Sequence, residues 1–149
     1  MPDIYTAAWY ENLKDILNRS EQVIKRAPAG LMHVLAEIKG DGASPYVGPD
    51  EVKRFIVDLD HGKCTEYREV TEAPSSRREF DFVLVLTASL FEGIIANQAD
   101  PVQAGLKGDI KITGDMRVLI QNAELVNVLA GVYQQQVETS WPKGEPPYS

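Results

Sequence analysis

The sequence predicts an α+β fold of about five strands in a mostly antiparallel sheet, covered on one face by helices. Three observations predict it. Apolar residues recur every three or four positions over the first 27 residues, they alternate through short segments between residues 31 and 87, and the helical period returns after Ser89. Strands that follow one another this closely pair as antiparallel neighbours, and the helices then gather on one face.

Pro2-Asp3 opens the first helical pattern, in which Trp9, Leu13, Ile16, Ser20, Val23 and Ala27 form a stripe widened by Leu17 and Ile24. Pro28 and Gly30 end it. Leu31 to Lys39 then alternates, with Met32, Val34, Ala36 and Ile38 on one face and His33, Glu37 and Lys39 among the other. Gly40 to Asp50, with three glycines and two prolines, is a loop. Val52 to Asp60 is a second strand, and Asp60-His61-Gly62-Lys63 turns the chain into a third, Cys64 to Val70. After the polar connector Thr71 to Arg78, a fourth strand places Phe80, Phe82, Leu84 and Leu86 on one face.

Ser89-Leu90-Phe91-Glu92 reads as a capping box that opens a helix with Leu90, Phe91, Ile94 and Ile95 on its apolar side. Asp100-Pro101 starts a short second helix, and Gly108 ends it. Asp109 to Thr113 is a fifth strand with Ile110 and Ile112 on one face. Met116 to Tyr133 is a last helix with two apolar stripes, one running from Met116 through Leu119 and Ala123 and the other through Val118, Leu125 and Leu129. A helix this apolar is either sandwiched in the core or roofs a greasy cavity. Residues 1–133 form one domain, with 1–28 as an N-terminal helix packed on it. Residues 134–149 form an extended tail with mobile parts.

At 149 residues, 44% hydrophobic and 25% charged, the chain fits a single domain. A chain of this size buries roughly 70% of its unfolded surface, enough for a real core. Its net charge of −7 is spread along the chain and repels phosphate backbones and anionic bilayers, so neither nucleic acid nor an acidic membrane is an expected partner. No apolar run approaches the ~18 residues of a membrane span, and Asp3, Glu11 and Lys14 break up any signal-peptide pattern. Cys64 is the single cysteine, which excludes an internal disulfide and any multi-cysteine metal site. The expected compartment is the cytoplasm, with no integral membrane association.

Chemistry-bearing residues are few. His61 and Cys64 lie three apart across a tight turn, which does not supply the cleft that a nucleophile pair needs. His33 falls on the polar face of its strand, and no histidine or acid spacing supports a metal. The pairs Asp50-Glu51 and Asp58 with Asp60 read as solvated carboxylates. There is no glycine-rich phosphate loop and no nucleophile elbow. The expectation is no catalytic residue, no metal and no cofactor.

One stretch carries a resemblance. Asp100-Pro101-Val102-Gln103-Ala104, followed by Gly108-Asp109-Ile110-Lys111-Ile112-Thr113-Gly114-Asp115-Met116, resembles the hallmark of the sterol carrier protein type 2 domain family: Asp-Pro-x-x-Ala, a short gap, then Gly-x-apolar-basic-apolar-x-Gly-Asp. The strand ending at Thr87 and the apolar helix after it match as well. The resemblance covers roughly residues 30–133, and the leading helix is similar to the extension of many bacterial and archaeal members.

The resemblance implies a hydrophobic tunnel between sheet and helices that takes a fatty acyl chain, phospholipid, sterol-like or isoprenoid molecule, without catalysis. The lining it implies is Phe55, Phe82, Leu84, Leu86, Phe91, Ile94, Ile95, Leu106, Ile112, Met116, Leu119 and Ile120. Several of these serve equally well as packed core. Enclosing a sixteen-carbon chain is worth on the order of 10 kcal/mol gross, at ~0.8 per methylene, before ordering costs. Gly105 departs from the family, whose members more often carry a bulky apolar residue there, and the acidic charge departs from the basic animal carriers. Two other readings compete. One is an accessory or homodimerising module with a filled tunnel, supporting a partner enzyme. The other is an enzyme acting on an acyl or isoprenoid substrate, which needs His33, His61 or Asp115 inside the cavity.

Overall fold

The computed structural model describes residues 1–148; Ser149, the last residue of the predicted tail, lies outside them. Thr6 opens α1 (Ala7–Arg19) by accepting from the Trp9 amide. The predicted single helix breaks at Ser20, which adopts extended backbone angles and accepts from the Val23 amide to start α2 (Glu21–Arg26). A serine at this point offers the backbone an alternative partner to the helical ladder, and the stripe continues across the break.

The five strands are β1 (Leu31–Lys39), β2 (Val52–Asp60), β3 (Lys63–Val70), β4 (Phe82–Thr87) and β5 (Lys111–Gly114), in the order β3-β2-β1-β4-β5. All neighbours are antiparallel except β1 and β4, which run parallel because the chain crosses the sheet between β3 and β4. The β2–β3 hairpin closes through His61 and Gly62, both at positive φ (50° and 85°), the pattern of a two-residue turn matched to strand twist.

The crossing segment accounts for one departure from expectation. Phe80 does not share a face with Phe82, Leu84 and Leu86. It precedes β4, stacks on His33 with ring centroids 4.3 Å apart, and packs with Val70 and Val85 on a small cluster of Leu35, Ile56 and Val83 on the reverse face. The Asp81 carboxylate accepts from the His33 amide, which fixes the entry to β4. On the same face Glu37, only 3% exposed, receives Arg54 at 2.9 Å and Arg77 from the 3₁₀ turn Arg77–Glu79.

The main core lies on the front face. Ala36, Ile38, Phe55, Leu59, Tyr67 and Leu86 of the sheet meet Trp9, Tyr10 and Leu13 of α1, together with helices α3 (Ala88–Ile95) and α6 (Ala123–Gln135). Helix α4 (Pro101–Lys107) begins as expected, with Asp100 accepting from the Val102 and Gln103 amides, and ends at Gly108 in the left-handed region (φ 83°). The predicted helix Met116 to Tyr133 is broken at Asn122 into α5 (Met116–Gln121), which buries none of its residues, and α6, which buries Leu125 and Val132. Among the described residues no helix is long and apolar enough to cross a membrane.

The segment after α6 is docked. Ser140 bridges to Asp3, the Thr139 hydroxyl accepts 2.9 Å from the Trp9 indole, and Trp141 packs edge-on to Tyr46.

Candidate functional site

The front face of the sheet closes unevenly. On β1, β2 and β3 the front-face residues Ala36, Ile38, Phe55 and Tyr67 are buried in the core shared with α1 and α3. Elsewhere on this face coverage is less complete: Val34, Leu84 and Ile112 share it by register and are half-buried, as are Met32 and Val57, whereas Phe82 and Leu86 of β4 are buried. Leu119 and Val126 on the helices are half-buried as well. Apolar side chains on inner strands such as β1 and β4 ordinarily disappear beneath a helical layer. Helix α3 packs on β1 and β4, while α5 packs on α6 and buries none of its residues.

The twelve residues expected to line a tunnel fall into three groups. Phe55, Leu86, Phe91, Ile94 and Ile95 are buried in the main core, with Phe55 and Phe91 rings 5.7 Å apart, and Phe82 is buried beside Gly114, where a Cβ would strike its ring. Leu84, its cross-strand partner Ile112, and Leu119 are half-buried. Met116 (47%), Ile120 (71%) and Leu106 (78%) are exposed. A Cβ at Gly105, beside Leu106, would meet no atom within 4 Å, so the missing side chain leaves open space there.

Two clefts stand out. The larger, about 510 Å³, lies where α2 faces the α5–α6 break and is lined by Lys25, Arg26 and residues 120–125; the smaller, about 300 Å³, lies among Ile16, Arg19, Ser20 and Gln136. Both are bounded by residues outside the sheet, and of the twelve expected residues only Ile120 reaches either.

The titratable candidates sit elsewhere. His33 pairs with Asp58 on the reverse face, His61 is exposed at the hairpin tip beside Asp60, and Asp115 caps α5 by accepting from the Arg117 amide. Burial pushes the Cys64 thiol up to about 11, and the thiol donates to the Glu66 carbonyl at 3.3 Å. Among the described residues no group of three or more acidic, histidine or cysteine side chains is placed to hold a metal.

Sequence reasoning missed the most unusual polar group. Ser89 and Glu92 do not form a capping box. Ser89 donates both its amide and its hydroxyl to Asp41 of the β1–β2 loop, and Glu92, 0% exposed, accepts from Tyr5 at 2.6 Å, from Ser44 at 2.9 Å and from Tyr148. Burial holds the Glu92 carboxyl above its ordinary range, against the pull of these three hydroxyls. Burial also raises Asp41, but the hydrogen bonds from Ser89, Ser44 and Ala43 outweigh it and hold that carboxyl below its usual range. A glutamate flanked by Phe91 and Ile94 on the apolar side of a helix was the available signal.

A mixed five-stranded sheet covered on one face by helices defines a two-layer α+β domain. The chain belongs to the SCP-2 sterol transfer family, which it matches over residues 21–127. Its fold is that of a crystal structure of sterol carrier protein 2 (21% identity, TM-score 0.73, covering 89% of this chain and 98% of that one). It is likewise that of a solution structure of a protein from Thermus thermophilus (20%, 0.72, 97% and 96%). A palmitated sterol carrier protein from Aedes aegypti is more distant (18%, 0.51, 87% and 95%). No curated protein matches the chain.

Proposed function

We propose that this protein is a non-catalytic carrier of a long-chain apolar ligand, held between the front face of β1, β4 and β5 and the α5–α6 pair. One observation carries the reading: Val34, Leu84 and Ile112 are incompletely covered on the face that the helices roof. The proposed lining is Phe82, Leu84, Ile112, Met116, Leu119 and Ile120, with the buried Phe55, Leu86, Phe91, Ile94 and Ile95 acting as the wall behind it. Leu106 marks the rim. Since α5 buries nothing, its displacement is the least costly way to make this space for a chain. The family and the palmitated mosquito relative support an acyl-chain ligand. We further read residues 1–133 as one domain and its compartment as the cytoplasm.

Solvent extraction of purified protein followed by mass spectrometry should yield a stoichiometric lipid, and a fluorescent fatty acyl probe should bind the delipidated chain. Failure of both overturns the reading. The exposure of Ile120 and Leu106 favours one alternative, a homodimerising or accessory module. A tight dimer that binds no probe, measured by sedimentation, would establish it.

A further inference from the structure

We infer that the outer edge of β5 pairs antiparallel with the same edge of a second copy of this chain, joining the two sheets into one. The inference stands apart from the carrier reading and holds with the ligand space filled or empty. β5 lies at the end of the sheet, and among the described residues β4 is the strand that pairs with it. Alternate amide and carbonyl groups of such a strand point outward and form a template for another chain. Lys111, Thr113 and Gly114 are exposed, as are Asp115 and Met116 that follow them.

The opposite edge is guarded and this one is not. β3 carries Lys63, Glu66, Arg68 and Glu69, shifts register against β2, and has α1 packed on it. Charges and irregularities of this kind keep sheet edges apart. β5 has Lys111 as its single charge and runs against β4 in one unbroken register.

Self-complementarity selects a second copy as the occupant. Ile112 shares the front face with Leu84, so Lys111 and Thr113 face the reverse with Val85 and Val83, and alternation brings Asp115 to the same side. A two-fold axis at Thr113 sets Thr113 opposite its own copy, Ile112 opposite Gly114, and Lys111 opposite Asp115, the last two contacts each made twice. Among the described residues Lys111 has no carboxylate partner in its own chain. Asp115 holds Arg117 at 3.2 Å and its side chain stays 47% exposed, open to a second cation. An axis at Ile112 would instead set Asp109 against Asp115, like charge on like charge.

Strands of four residues bury less than the about 1,200 Å² of a stable complex, so the dimer is weak, with a dissociation constant on the order of 100 μM. Sedimentation equilibrium of the full chain from about 10 μM to about 1 mM should show it. Lys111→Glu and, separately, Asp115→Lys place like charges at both contacts and should weaken association at least about tenfold. Mixing the two variants in equal amounts restores opposite charges at both contacts and should bring association back to within about threefold of the parent. A parent that stays monomeric throughout overturns the dimer. Undiminished association of Lys111→Glu, or folded variants that fail to associate when mixed, overturns this edge as its interface. Should Asp115→Lys lose its fold with its α5 cap, Lys111→Glu on its exposed site still decides.

Discussion

The Tyr5 hydroxyl donates a 2.6 Å hydrogen bond to Oε2 of Glu92, joining the start of the chain to the middle of α3 across 87 positions of sequence. Ser44 shares that oxygen and Tyr148 takes the other, so three separate segments converge on one carboxylate with no solvent exposure. A buried charge survives only when its hydrogen-bonding capacity is filled. Replacing Glu92 with Ala leaves the Tyr5 and Ser44 hydroxyls buried without an acceptor and should cost about 3 kcal/mol in urea unfolding.

The pH dependence of the same group has a definite sign. Burial raises the Glu92 carboxyl in the folded state, so folding favours the proton-bound form. Its contribution to stability is therefore complete below the unfolded carboxyl's value, about 4.3, and is lost as pH rises through the higher folded value. Asp41 and Asp115, both held below their usual range, act in the opposite direction at lower pH. Glu92→Gln isolates the term. The melting temperature of the parent minus that of the variant should fall as pH is raised through weakly acidic values, and a flat or rising difference contradicts the assignment.

Most of the strand layout was legible from period-2 patterning: β1 and β2 fall where alternation places them and His61-Gly62 makes the expected turn, whereas β5 begins at Lys111, two residues after the expected Asp109, and leaves Ile110 outside. The hallmark around Asp100 and Gly108 was legible because capping chemistry is local. What escaped was set by distant partners. Ser89 and Glu92 match a capping box by spacing, yet Asp41 and three hydroxyls from elsewhere in the chain compete for them. Phe80 continues the alternation of β4 but is drawn to the reverse face by the His33 ring. The break at Asn122 divides the last helix in two, and nothing in the apolar stripe signals it.

Two tyrosines in one aromatic core should respond oppositely to loss of a hydroxyl. The Tyr10 hydroxyl is buried with no hydrogen-bond partner, on a residue 2% exposed, whereas that of Tyr5 is spent on Glu92. Tyr10→Phe relieves an unsatisfied polar group and should be neutral or stabilising by about 1 kcal/mol, while Tyr5→Phe should destabilise by about 2 kcal/mol. Chemical denaturation of both variants checks the contrast.

On the reverse face Glu37 is nearly fully buried and shared by Arg54 and Arg77, of which Arg77 is largely exposed. Removing Glu37 strands Arg54 in a half-buried setting and should cost about 3 kcal/mol. Arg77→Ala loses a screened partner and should cost less than about 1 kcal/mol, with little left at high salt. Comparable losses for the two would mean that the crossing segment, and not the ion pair, depends on Arg77.

The proposed ligand space at β4 and β5 can be tested by filling it. In a closed core a small-to-large change forces neighbours off their rotamers and costs about 1–3 kcal/mol, so Ile94→Trp on the buried side of α3 should destabilise by at least that much. Leu84 lies on the front face of the sheet and is half-buried, as is Ile112 beside it. An indole placed at Leu84 can extend into that space in place of a ligand. Leu84→Trp should therefore leave unfolding free energy within about 1 kcal/mol of the parent and weaken fluorescent acyl probe binding at least tenfold. A large loss of stability at Leu84 would show that its surroundings are packed solid. Full probe binding in a stable Leu84→Trp variant would place the ligand elsewhere, with the cleft at Lys25, Arg26 and Ile120 as the next site to block.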